Sequence, residues 1–96
     1  MLFIATCVDK PQSLETRLAN RPAHLAHLNG LGSKVKIGGA ILADDLKTPL
    51  GSVLIFEGES EEEVRAILAE DPYTRAGLFE SVTIRPWRQA VGQTLV

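Results

Sequence analysis

Three short segments, LFIA (residues 2–5), AIL (40–42) and VLIF (53–56), are nearly unbroken runs of apolar side chains. Each lies in a stretch that reads as a β-strand: LFIATCV (2–8), KVKIGGAIL (34–42) and GSVLIFE (51–57). Successive side chains of a strand point to opposite faces, so a sheet with one wet face alternates apolar and polar residues. These strands do not alternate, and both faces of their sheet call for cover. A chain of 96 residues with 45% hydrophobic content has room for one globular domain and no second. The cover must come from the rest of that domain or from another chain.

The intervening segments supply two helices. The first strand ends at Asp9-Lys10-Pro11, a turn signal, and Ser13 offers an N-cap to a pattern of Leu14, Leu18, Leu25, Leu28 and Leu31. Gly30 and Gly32 mark its end. Pro22 lies inside the pattern, where the missing N–H predicts a kink or a restart. Gly38-Gly39 predicts a weakened or bulged second strand, and Asp44, Asp45 and Pro49 mark a loop. Ser60 and Glu63 have the spacing of a capping box that opens a second helix through Val64, Ile67 and Leu68. The fourth strand is ESVTIRPW (80–87), with Val82 and Ile84 toward the helices. The order is βαββαβ. Two right-handed crossovers of this kind predict an α+β, ferredoxin-like antiparallel sheet with both helices on one face. The other face is then expected to meet the sheet of an identical chain in a twofold homodimer. The simpler alternative is an open face that tolerates some exposed aliphatics. Residues 1–88 form the expected domain, and 89–96 a loosely ordered tail.

Charge excludes several classes of partner. Ten Lys and Arg against twelve Asp and Glu leave a formal charge of -2, and no basic run occurs anywhere. Neither nucleic acid nor an anionic membrane is an expected partner, since both need clustered cations. No apolar run approaches a membrane-spanning length, and no leader with a cleavage site is expected. Cys7 is the only cysteine; it fits a reducing cytoplasm and reads as an inert core thiol.

Chemistry has few candidates. At about 100° per residue, Leu14, Leu18, Leu25 and Leu28 form one stripe. His24 falls on its flank, at the edge of the helix–sheet interface, and His27 lies further toward solvent. The two histidines are three apart, but no HExxH or CxxC accompanies them, so no metal is expected. Nor is any cofactor: Gly38-Gly39 is not a nucleotide-binding GxGxxG. Asp71 ends the second helix, and Pro72 biases it away from helical dihedrals. Two roles remain open for it. A carboxylate accepting from one imidazole nitrogen would fix the tautomer of His24 and leave the other nitrogen as a general acid or base. Alternatively, Asp71 only caps the DPYT turn while His24 packs at the helix edge, and on spacing alone this is the simpler reading. No GxSxG nucleophile motif is present, so proton transfer suits the chain better than acyl transfer. Ser52, Ser81, Thr83, Arg85 and Trp87 are expected to line one sheet face, with Arg85 as an anion anchor and Trp87 as a pocket wall or dimer seam. The bland alternative is a polar rim. Arg21 and Arg75 could each meet a carboxylate, although single arginines are usually solvated.

Four segments together resemble a known family. RPAHLAHL (21–28), GGAILADD (38–45), GSVLIFE (51–57) and DPYTRAGLFESVTIRPW (71–87) are similar to the YCII (YciI-like) proteins. The resemblance spans nearly the whole chain to Trp87, with Ala40 standing where many members carry proline. It implies a dimeric α+β barrel of ferredoxin-like subunits, related to muconolactone isomerase and to a dehydrochlorinase of a chlorinated hydroxyhydroquinone. The family's proposed site, a histidine on the first helix and an aspartate in the Asp-Pro motif, falls on His24 and Asp71 and favours the paired reading. The expected function is proton transfer, elimination or isomerisation on a small cyclic or aromatic molecule. The alternative is a non-catalytic small-ligand-binding or interaction dimer.

Overall fold

A computed structural model describes residues 1–95. The chain runs β1 (Leu2–Asp9), α1 (Leu14–Asn29), a short 3-10 turn (Gly32–Lys34), β2 (Val35–Leu42), β3 (Pro49–Glu57), α2 (Glu61–Ala69), α3 (Pro72–Arg75) and β4 (Phe79–Trp87). The strands form one antiparallel sheet in the order β2-β3-β1-β4. This is the expected α+β, ferredoxin-like arrangement, with the one-turn helix α3 added after Asp71. Among the described residues no helix is long and apolar enough to cross a membrane.

Strand register assigns the faces. Phe3 pairs with Phe56 and Pro86, Ala5 with Leu54 and Ile84, and Cys7 with Ser52 and Val82. Paired residues share a face. This face carries the core: Phe3, Ala5, Leu54, Phe56 and Ile84 pack with Leu28 of α1 and with Val64 and Leu68 of α2, and Val82 packs against them. The other face carries Ile4, Thr6, Val53 and Ile55 at its centre, Ile37 and Ile41 on β2, and Ser81, Thr83, Arg85 and Trp87 on β4. Ile37 and Ile41 are exposed there.

The capping box forms, with one variation. Ser60 Oγ accepts from the Glu63 N–H, whereas Glu63 Oε2 accepts from the Glu59 N–H, one residue before the cap. Other local expectations are corrected. Ser13 precedes α1 without capping it, because its hydroxyl donates back to the Pro11 carbonyl. Pro22 does not break the helix, which runs unbroken around it; Pro22 is exposed, so the carbonyl it leaves without a donor lies on the wet side. The irregularities of β2 fall between Val35 and Ile37 and between Ile41 and Leu42, not at Gly38-Gly39.

The largest correction concerns the leucines. Leu14, Leu18 and Leu25 are exposed, and the residues that α1 buries are Arg17, His24 and Leu28. The two stripes are roughly 90° apart around the helix. Polar contacts from Arg17 and His24, described below, turn the helix that way.

Gly51 supplies a test of how tightly the sheet is assembled. A Cβ there would lie 2.3 Å from the Cys7 carbonyl oxygen, a backbone atom with no freedom to retreat, whereas a Cβ on Gly39 would meet nothing within 4 Å. Gly51→Ala should therefore cost on the order of 2 kcal/mol or more in urea unfolding, and Gly39→Ala well under half of that. Equal losses in the two variants would contradict this packing.

Candidate active site

Asp71 is fully buried at the start of α3. A bare carboxylate in that position is costly unless its lone pairs are taken up. Its Oδ1 accepts from the Tyr73 N–H at 2.9 Å, so it is the helix cap. Both its oxygens also face His24 Nδ1, at 2.8 and 2.9 Å. The two roles left open by the sequence are filled by one side chain. Because a carboxylate can only accept, Nδ1 carries the hydrogen, which leaves Nε2 of the neutral imidazole as its acceptor atom. No described residue hydrogen-bonds Nε2. The imidazole is also clamped from one side, since the Tyr73 ring stacks on it with centroids 3.8 Å apart and planes 12° from parallel.

His27 lies closer to the protein than expected. Its Nε2–H donates to the Ile67 carbonyl at 3.1 Å, which ties α1 to the last turn of α2, next to Asp71.

Two turns before His24 on the same stripe sits Arg17, with 5% exposure. Its Nε donates to Asp9 Oδ2 at 2.7 Å, and Nη2 donates to Asp9 Oδ1 at 3.1 Å and to Ser52 Oγ at 2.9 Å. The guanidinium carbon stands 4.8 Å from the centroid of the Tyr73 ring. Burial alone would lower the Arg17 pKa, but the hydrogen bonds and charge of Asp9 raise it, and the side chain stays cationic. Burial also raises the Tyr73 phenol, which remains neutral.

These groups border a cavity of about 350 Å³ between α1 and the β2–β3 half of the sheet. It exists because the strand residues beneath it are small: Gly38 and Ala40 pair with Leu54 and Ser52. At Gly38 a side chain would run into Leu54, 2.7 Å away. Arg17, Arg21, His24, Ser52 and Tyr73 all line it.

Sequence reasoning named His24, Asp71, Ser52 and Arg21, and the fold brings all four to this region. It placed Ser52 on the wrong face, with Ser81 and Arg85. Cys7 pairs with both Ser52 and Val82, which puts Ser52 on the helix side. Arg85 and Trp87 are on the opposite face, away from His24; Trp87 borders a separate cavity of about 800 Å³ with Met1, Leu2, Glu57 and Arg88. Arg75 is on the surface, paired with Glu70. Asp45 is engaged by Thr48 and the Lys47 N–H within its own loop, which holds its carboxyl below the usual range. Arg17, Asp9 and Tyr73 went unnamed. The available signal was that Arg17 lies seven residues, two turns, before His24 on the same face.

A βαββαβ sandwich with an aspartate-held imidazole in a small cavity defines a class of compact α+β proteins with a polar pocket under the first helix. The chain belongs to the YCII-related domain family, whose model matches residues 1–88. It is 38% identical to the protein YciI of Escherichia coli O6:H1 over 96 residues, covering 93% of this chain and 98% of that one. It is 39% identical to the 5-chloro-2-hydroxyhydroquinone dehydrochlorinase of Burkholderia phenoliruptrix AC1100, solved with 2,5-dihydroxybenzoquinone. That structure superposes with a TM-score of 0.85, covering 94% of this chain and 96% of the other. An antibiotic biosynthesis monooxygenase, 16% identical with a TM-score of 0.55 over 95% of this chain and all of its own, shares the fold alone.

Two outcomes follow from the site geometry. In Asp71→Asn the amide oxygen can keep the cap on Tyr73, but its NH₂ would then face His24 Nδ1. The imidazole should shift its proton to Nε2, a tautomer change visible in ¹⁵N ring shifts; an unchanged Nδ1–H pattern would show that Asp71 does not set the tautomer. Cys7 is pushed up to about 12 by burial, then by the charges of Asp71 and Asp9, against an opposing Arg17. The folded state therefore holds that proton after the unfolded state has lost it. Stability should be untouched below the ordinary thiol value of 9.0 and fall as pH rises from there toward about 12. Cys7→Ser, followed by urea unfolding across that range, should flatten the slope; an identical slope would assign the loss to other groups.

Proposed function

We propose that the chain is an enzyme of proton transfer, elimination or isomerisation on a small, hydroxylated cyclic molecule. His24 is the general acid or base through Nε2, and Asp71 is the positioning residue that fixes its tautomer and would stabilise the imidazolium formed on proton uptake. The observation that carries this reading is the buried two-oxygen grip of Asp71 on Nδ1, with His24 bordering a cavity. The likeness to a dehydrochlorinase supports the reaction class, in which the substrate loses a proton to a base and a leaving group as its anion. Ser52, at the inner wall of the cavity, contacts the bound ring. No cofactor or metal enters the scheme.

The working unit in this reading is a homodimer formed through the open sheet face. Support comes from the apolar character of that face, where Ile4, Val53 and Ile55 adjoin the exposed Ile37 and Ile41. Arg85 and Trp87 then belong to the seam between chains. A single buried thiol suits a reducing cytoplasm.

Chloride release from 5-chloro-2-hydroxyhydroquinone and related chlorinated rings tests the reaction. His24→Gln and Asp71→Asn should each lower the rate by about 100-fold or more while sedimenting at twice the 10.4 kDa chain mass. Full activity in either variant would remove that residue from the mechanism. Binding without turnover in the unaltered protein would favour a non-catalytic ligand-binding dimer, and sedimentation as a monomer would remove the sheet-to-sheet seam.

A further inference from the structure

The cavity under α1 changes character along its length. Arg17 donates to Ser52 of β3, which sets the first half of the helix above the Ser52 level of the sheet. Leu28, about 16 Å further along the helix, packs instead with Leu54 and Phe56. The strand pairing runs in the same order: Ala40 of β2 stands beside Ser52, Gly38 beside Leu54, and Val35 beside Phe56. One end of the cavity is therefore polar, and the other is lined by Leu25, Leu28, Val35 and Leu54. His24 lies between them, one residue before Leu25.

Size separates the two ends further. An apolar cavity of about 150 Å³ is enough to hold benzene. The cavity here is about 350 Å³, so a single hydroxylated ring leaves about 200 Å³ of it unfilled. A ring that meets both Ser52 and His24 leaves that remainder toward the leucines. Nor is this end closed. Leu25 on α1 is 38% exposed, and Gly38, Gly39 and Ala40 are exposed on β2, the edge strand. The cavity thus opens sideways, through a slot between the helix and the edge of the sheet. Gly38 keeps the slot wide, since a Cβ there would meet the Leu54 side chain at 2.7 Å. Singly exposed leucines are ordinary. Leu25 differs from Leu14 and Leu18 in lining the cavity, where it continues an apolar wall already formed by Leu28, Val35 and Leu54.

We infer that the leucine-lined end is a second subsite, and that the substrate's ring carries an apolar substituent, an alkyl or alkenyl chain of several carbons. The chain lies along Leu28, Val35 and Leu54 and leaves past Leu25 through the slot between α1 and β2. This rests on the reading of His24 as acid or base toward a hydroxylated ring, and adds what that ring carries. The chemistry takes place at the ring, while the chain is held by burial of its carbons. A ring bearing only hydroxyls leaves the leucine wall wet, and a chain on the ring covers it.

The test measures binding and turnover separately. Isothermal titration of the full chain compares 2,5-dihydroxybenzoquinone with its 3-methyl, 3-propyl and 3-pentyl derivatives. Each methylene taken out of water is worth up to about fourfold in affinity. The propyl compound should therefore bind at least about tenfold more tightly than the unsubstituted quinone, and the gain should flatten once the chain passes Leu25 into solvent. Leu25→Gln makes the lip of the slot polar, and Val35→Thr keeps the side chain's shape while adding a hydroxyl. Each should shrink the ratio of pentyl to unsubstituted affinity by about threefold or more. The ratio is taken within each protein, so a general loss of binding or folding cancels. His24→Gln should lose turnover yet keep the dependence on chain length. Equal affinity across the series, affinity that falls with each added carbon, or a ratio unmoved in both variants overturns the apolar subsite even where His24-dependent turnover stands. Turnover that survives His24→Gln would sink the catalytic reading, while a chain-length gain in the same protein would leave the subsite intact.

Discussion

The buried carboxylate of Asp71 is the constraint around which the rest of the molecule is arranged. An anion withdrawn from water costs several kcal/mol unless hydrogen bonds replace its hydration. Here the replacements come from two directions: the Tyr73 N–H at the start of α3, and His24 on α1, 47 residues earlier in the chain. Satisfying Asp71 therefore means bringing the first helix against the corner where the second ends. The His27 bond to the Ile67 carbonyl and the stacking of Tyr73 on His24 act at the same junction. A catalytic geometry and a structural joint are the same set of contacts.

That joint decides the rotation of α1. Arg17, gripped by Asp9 and Ser52, and His24, gripped by Asp71, lie on one stripe and turn it inward. Only toward the C-terminal end of the stripe, at Leu28, does the helix join the apolar core. The N-terminal half covers the sheet with polar groups, and below them the strands offer Gly38, Ala40 and Ser52, which have too little bulk to fill the gap. The cavity is a place where the core was left incomplete, walled by side chains that are costly to bury and are held by partners for that reason.

The order of elements was legible because it depends on local rules. Turn residues, the Ser60–Glu63 cap and the apolar strand runs each act within a few residues, and they located all four strands and both long helices within one or two positions. Pattern reasoning failed on α1, where Leu14, Leu18 and Leu25 outweigh Arg17 and His24 by hydrophobicity and yet face outward. Amphipathic arguments assume that the apolar stripe turns inward. They lose when two polar side chains on a neighbouring stripe, Arg17 and His24, have buried partners waiting. The face of Ser52 was misread for a similar reason: alternation sorts residues within one strand, but only cross-strand register says which face of β3 matches which face of β4.

The amino-acid sequence by itself determined the α+β class, the presence of two imidazoles on the first helix, and an aspartate placed before proline where it can cap a turn. Those follow from periodicity and from the fixed φ of Pro72, which need no distant partner. Tertiary structure alone decided that Asp71 reaches His24, that Arg17 is bound to Asp9 and Ser52, and that Arg85 and Trp87 lie behind the sheet. Each of these depends on a distance between residues far apart in sequence, and such distances come from strand register and helix rotation settled together as the buried charges find their partners.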